Sequence, residues 1–307
     1  MRIAVMGTGG IGGYFGARLA LAGNDVVFIA RGAHLAAIRE KGLRVASPLG
    51  DIHLARPEIT MDPTEAGPVD LVLLGVKLWD TEAAARALKP LTDAGAAIVS
   101  FQNGVHKDDV LRRLLGNEMV MGGVCYIAST IEEPGLIRHS GRMAKMVFGE
   151  YDGRPSKRTE AFLDACRKAG IEAGISMEIR RTLWEKFVFL VGLSGTTTTI
   201  REPIGAILTN PYSRTLLLDA MKEVVQVGRA QGVGLDPDFA DKQLVFCDGL
   251  PAAMTSSRHK DLEKGNRLEV QWLSGDVVER GKATGVPTPV NRAIADILAL
   301  HAGGDRG

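Results

Sequence analysis

Five glycines fall within the seven residues GTGGIGG at 7–13, directly after the apolar run RIAVM. Gly7, Gly9 and Gly12 set out G-x-G-x-x-G between an expected strand and an expected helix. Glycine at those positions allows a tight turn, close approach of the backbone to a pyrophosphate and close packing of helix on strand. The N–H groups at the helix start then face the anion. Gly7, Thr8, Gly9, Gly10, Ile11 and Gly12 are therefore the expected dinucleotide-binding loop. The alternative is a glycine-rich turn without ligand, and the loop's place inside a complete β-α-β unit weighs against it. The nucleotide is chosen at the end of the second strand, where Asp or Glu would take the adenosine ribose of NAD. Here that strand ends FIARG, with Ala30 in the deciding zone, Arg31 next to it and Asp25 at the strand's other end. A guanidinium suits a 2′-phosphate, each charge-assisted hydrogen bond being worth roughly 1.5–3 kcal/mol. NADP, as NADPH, is the expected cofactor.

These residues need a scaffold, and the first half of the chain supplies its pattern. Near-continuous apolar runs at 2–7, 25–31, 69–77 and 96–104 alternate with helical patterns at 13–23, 33–42 and 80–91 and with HKDDVLRRLLG from 106. Apolar strands separated by helices imply a parallel sheet covered on both faces. The stretch at 120–150 has Gly and Pro punctuation and β-like runs, which suggests strands added at the sheet's edge. From about 178 the texture turns helical, with apolar residues at helical spacing in 177–195, 213–232 and 291–303. The expected architecture is an α/β N-terminal Rossmann-type parallel-sheet domain, 1–178, followed by an all-α C-terminal domain, 179–307.

Composition narrows the function. A net charge of +1 leaves no basic excess for a nucleic-acid partner, and no apolar run is long enough to span a bilayer. Cys125, Cys166 and Cys247 are too few and too widely spaced for a disulfide framework or a metal cluster, so free buried thiols and no metal site are expected. Without a leader pattern at the start, a cytoplasmic protein is expected.

Taken together, the motifs resemble the ketopantoate reductase (2-dehydropantoate 2-reductase) family. The resemblance runs through GTGGIGG at 7–13, ARG at 30–32, VKLWD at 76–80 and QNG at 102–104. It continues in RRTLWEKF at 180–187, SSRHKDLEKGNRLEV at 256–270 and GKATGVPTPVN at 281–291, in family order and across both expected domains. It implies an NADP-binding Rossmann domain joined to a helical domain, with substrate held between them. The implied reaction is reduction of ketopantoate, a small 2-keto acid, to pantoate on the way to pantothenate and coenzyme A. By the same resemblance Lys186 is the catalytic lysine, giving a proton to the carbonyl oxygen as hydride reaches the carbon, because negative charge develops on that oxygen. Glu269 matches the acidic catalytic and substrate residue, and Ser257, twelve residues earlier, a substrate-contacting hydroxyl. Lys77 and Asn103 match positions that border both the nicotinamide ribose and the substrate. Asp261 could anchor the helical domain, and His259 is expected at the surface.

The chain departs from the family at one place. The resemblance leads one to expect asparagine four and eight residues after the lysine, on the same helical face. Here those positions hold Leu190 and Ser194. Ser194 can still hydrogen-bond substrate; Leu190 cannot, and losing an amide partner costs on the order of 1–3 kcal/mol. A reductase of a different small 2-keto acid is thus one alternative, and a nucleotide-binding protein without catalysis is another. Retention of Lys186 and Glu269 argues against the latter. Apolar faces among the C-terminal helices would allow a homodimer.

Overall fold

A computed structural model describes residues 1–304, and the chain divides into two compact units. One comprises Met1–Asn103 and Lys107–Ile179; the other comprises Gly104–His106 and the chain from Arg180 onward.

The first unit holds ten strands: β1 Arg2–Met6, β2 Asp25–Ile29, β3 Leu43–Ala46, β4 Ile52–Leu54, β5 Glu58–Thr60, β6 Leu71–Leu74, β7 Ala97–Ser100, β8 Val120–Glu133, β9 Leu136–Gly149 and β10 Glu172–Ile175. They form one sheet in the order β4-β3-β9-β8-β7-β6-β1-β2-β5, with β10 against β9. Only β3–β4 and β8–β9 pair antiparallel. Five helices belong with it: α1 Gly10–Leu21, α2 Gly32–Lys41, α3 Thr81–Asp93, α4 His106–Leu115 and α5 Lys157–Lys168. Residues of β6 and β7 are buried throughout, as in parallel strands covered on both faces. Neighbouring residues of β1 enter opposite cores: Val5 joins Phe15, Phe28 and Phe162, whereas Ala4 joins Val72, Leu88 and Ile98.

The expected strands at 120–150 are present as the long β8–β9 hairpin, but they lie inside the sheet rather than at its edge. Short strands β3 and β4 extend the sheet beyond β9 and take the edge position instead. Cys125, Cys166 and Cys247 are free and buried, and burial pushes the thiols of Cys166 and Cys247 up to about 12 and about 11.

The second unit is helical, with no strand among its described residues. It comprises α6 Ile179–Ile200, α7 Ile204–Thr209, α8 Pro211–Ala230, α9 Phe239–Asp248, α10 Ser257–Glu263, α11 Ser274–Thr284 and α12 Pro289–Leu298. Glycines set how closely α6 and α8 pack: a Cβ at Gly192 would strike Met221, and one at Gly228 would strike Trp184. Helix α12 begins without a side-chain cap of its own. Buried Glu223 of α8 supplies one, its carboxylate accepting from the backbone N–H groups of Val290 at 2.7 Å and Asn291 at 2.9 Å and from Asn291 Nδ2 at 2.8 Å. No described helix is long and apolar enough to cross a membrane.

Candidate active site

Strand order explains where a ligand meets the first unit. From β1 the chain goes to β2 on one flank. Strand β5 extends that flank after the chain has placed β3 and β4 at the far end of the sheet, and the chain then comes to β6 on the other flank of β1. The carboxyl ends of β1 and β6 are therefore a topological switch point, where open α/β sheets receive ligands. The glycine loop lies there. Gly7 has φ +93°, and a Cβ on it would press on the backbone of Val76 at 2.7 Å. A Cβ at Gly12 would collide with the Gly7 carbonyl oxygen, and one at Gly10 with the backbone of Ser129. Above Gly9, by contrast, nothing lies within 4 Å. Helix α1 starts there with no side-chain cap, so its first N–H groups remain available to an anion. A cradle closed to side chains and open at Gly9 fits the pyrophosphate of a dinucleotide.

The loop is tied down from behind. Thr8 Oγ1 donates to the Ile29 carbonyl at 3.1 Å, and His34 reads the next atom along. Its Nε2 lies 2.8 Å from the Thr8 carbonyl, and its Nδ1 lies 3.0 Å from the Gly135 N–H. That pair of partners fits a neutral ring donating through Nε2, and burial pushes the His34 pKa down. Arg31, at the end of β2, reaches Asp80 with Nη2 at 2.5 Å. Its side chain is 77% exposed.

Lys77 and Asn103 follow β6 and β7 at the same edge of the sheet. Lys77 Nζ lies 5.6 Å from the centre of the Trp79 ring. Both strand ends are fastened by Gln102, whose Nε2 donates to Val76 O at 3.0 Å and to Thr81 Oγ1 at 2.8 Å, while its Oε1 accepts from Ser100 Oγ at 2.9 Å. Lys107 adds a second fastening. Fully buried, it donates to Ser100 O at 3.0 Å and to the Asp108 carboxylate at 2.9 Å. Burial pushes the Asp108 carboxyl up even against the Lys107 charge. Neither role was visible in the sequence, where HKDDVLRRLLG from 106 reads only as a helical pattern.

The helical unit holds the second group. Helix α6 runs unbroken through Gly192, so residues 186, 190 and 194 share a face. Lys186 and Leu190 are half-buried, and Ser194 is buried with an Oγ that meets no hydrogen-bond partner among the described residues. Trp184 and Phe187 beside Lys186 are buried and pack edge to face at 5.6 Å. Glu269 is half-buried and fixed by its neighbours, since Leu268 and Val270 enter the core with Ile294 and Leu298. Ser257 opens α10 with its side chain exposed, between two buried residues. Of these, Ser256 caps the helix, its Oγ accepting from the His259 N–H at 3.1 Å, and Arg258 is buried. Asp261 accepts from Asn266 Nδ2 at 3.0 Å within the same segment. His259 is not at the surface as the sequence suggests. It is 5% exposed, because its Nδ1 turns inward to the Thr197 carbonyl at 2.8 Å.

Comparison with known proteins follows this two-part geometry. Residues 3–153 match the family described as ketopantoate reductase PanE/ApbA, and residues 178–302 match its C-terminal counterpart. A 2-dehydropantoate 2-reductase of Halobacterium salinarum is 33% identical over 301 residues, covering 98% of each chain. The crystal structure of a PanE/ApbA family ketopantoate reductase from Ralstonia eutropha JMP134 has a TM-score of 0.89 at 33% identity, over 98% of each chain. A D-mandelate dehydrogenase solved with NADH and anilino(oxo)acetate shares the fold, with a TM-score of 0.88 at 20% identity over 98% of each chain. The two family matches together span nearly the whole chain, as does the likeness to the Halobacterium enzyme: this oxidoreductase belongs to the ketopantoate reductase family.

Proposed function

We propose that the protein reduces a small 2-keto acid with NADPH, and that the acid is ketopantoate, giving pantoate for pantothenate and coenzyme A. The observation that carries this reading is Lys186, half-buried beside the buried Trp184 and Phe187 on an unbroken α6. The nicotinamide, when bound, supplies the hydride that reaches C2 of the keto acid. Gly7, Thr8, Gly9, Gly10, Ile11 and Gly12 would hold its pyrophosphate, Arg31 its 2′-phosphate, and Lys77 and Asn103 its ribose and the substrate. Lys186 Nζ gives a proton to the carbonyl oxygen as charge develops there, a contribution typically worth 10²–10⁴-fold. Glu269 and Ser257 hold substrate oxygens, and Ser194 offers one further hydroxyl.

The test is the rate at which purified protein consumes NADPH with ketopantoate. A saturable rate, reduced by about 10²-fold or more in Lys186→Ala with NADPH affinity unchanged, is the expected result. NADPH binding without turnover of ketopantoate would overturn the substrate assignment.

Leu190 favours a second reading within the same chemistry. Its half-buried side chain offers apolar surface where an amide would hold a substrate oxygen. A 2-keto acid with a more apolar side chain would then be preferred, and a substrate panel separates the two. We also propose a homodimer in the cytoplasm, for which sedimentation of the purified protein and fractionation of cells are the checks.

A further inference from the structure

Arg258 is the charged group that the proposed reaction leaves unexplained. It follows Ser257 on α10, is 3% exposed, and its Nε, Nη1 and Nη2 are all buried with no hydrogen-bond partner among the described residues. A buried charge without acceptors is costly, and one missing its partner far more so than one replaced by an apolar side chain. The guanidinium lies against α6 where that helix has no side chain: a Cβ at Gly195 would stand 3.6 Å from Nη2. On either side of Gly195, at one-turn spacing, the buried hydroxyls of Ser194 and Thr198 also lack partners. Burial pushes the Arg258 pKa down to about 10, opposed by the field of Glu269, so the group is charged at neutral pH. The five N–H donors of Arg258 thus lie beside Gly195, and the two unpartnered hydroxyls belong to the same helix, one and two turns beyond Leu190.

We propose that Arg258 takes a carboxylate of the 2-keto acid substrate, with the Ser194 and Thr198 hydroxyls completing the anion's hydrogen bonds. The inference rests on the reading of the protein as a 2-keto acid reductase. A planar fork of donors matches a carboxylate in a bidentate way that an ammonium cannot. It also accounts for Leu190, since the charge that fixes the acid comes from α10 instead of an amide on α6.

The test compares wild type, Arg258→Met and Arg258→Lys, each with a 2-keto acid and with its methyl ester. In Arg258→Met the KM for the acid rises roughly 10- to 100-fold, the loss of a charge-assisted pair. The ester's kcat/KM stays within about twofold, and NADPH affinity is unchanged. Arg258→Lys keeps the charge without the fork and falls between them. An equal loss for acid and ester, or an unchanged KM for the acid, would overturn the proposal. Methionine is expected to fold, because apolar replacement of a buried charge is often neutral or stabilising. Should wild type reduce no 2-keto acid, oxamate binding measured by thermal shift in the presence of NADPH decides the matter separately. Stabilisation of wild type but not Arg258→Met supports the carboxylate site, and equal behaviour of the two overturns it.

Discussion

Arg31 Nη2 donates to Asp80 Oδ2 at 2.5 Å, linking the end of β2 to the turn before α3. The guanidinium is 77% exposed and the carboxylate 25%, so the pair contributes little to stability and can be exchanged for another anion. If that anion is the 2′-phosphate, Arg31→Ala raises the KM for NADPH about tenfold or more and leaves that for NADH nearly unchanged. Asp80→Asn removes the competing carboxylate and tightens NADPH binding. Initial rates with the two nucleotides check both, and an equal loss with NADH would show that Arg31 serves the loop and not the phosphate.

His34 is expected to make the glycine loop sensitive to pH. Its Nδ1 accepts from the Gly135 N–H only while the ring is neutral, and burial holds its pKa below the ordinary 6.5. The unfolded ring therefore binds a proton more readily than the folded one. The contribution is complete above about pH 6.5 and is lost as pH falls through the lower folded value. Denaturant unfolding of wild type should show this slope between pH 7 and 5, and His34→Gln should flatten it; an unchanged slope would remove His34 as the source.

Gln102 is expected to act on both stability and turnover. Replacement by Ala leaves Val76 O and Thr81 Oγ1 without the donor they share, at a cost of about 1–3 kcal/mol. Lys77 and Asn103 lose the fastening between their strands, so KM for the keto acid rises more than the stability loss alone explains. Urea unfolding set beside steady-state kinetics separates the two effects.

Glu223→Ala removes the carboxylate that caps α12 and strands three N–H donors at once. A loss of about 2–4 kcal/mol is expected. Glu223→Gln should recover part of it, because the amide oxygen still accepts. Chemical denaturation of the three proteins is the measurement, and equal stability of wild type and the alanine variant would contradict the cap.

How much of this was written in the chain depends on the range of each interaction. The strands β1, β2, β6 and β7 were readable because runs such as LVLL are buried on both faces and so carry no polar interruption. Strands β4 and β3 were not, since IHL and LRVA are interrupted by His53 and Arg44 and form neither a continuous apolar run nor an alternation long enough to set a period. The glycine loop was legible because its geometry is local: Gly7 needs its φ of +93° whatever lies far away. Lys186, Glu269 and Ser257 could be singled out only through their likeness to a family. Lys107, Gln102, Glu223 and Arg258 escaped notice because the burial of a polar side chain is decided by partners distant in sequence. Gly123 for Lys107, Val76 for Gln102 and Asn291 for Glu223 are such partners, and nothing adjacent to the buried residues names them.

The place of the β8–β9 hairpin in the sheet also bears on how the chain must be made. β3 pairs in parallel with residues Leu136–Arg138 of β9, and β7 pairs with β8 from Val120. Both earlier strands leave the ribosome before these partners exist, β3 by some ninety residues and β7 by about twenty. Unpaired strand edges are templates for neighbouring chains, and distant parallel pairings form slowly. A nascent chain thus carries two open edges until the hairpin emerges, and the interval in which a holding chaperone matters is bounded by Ala46 and Gly149.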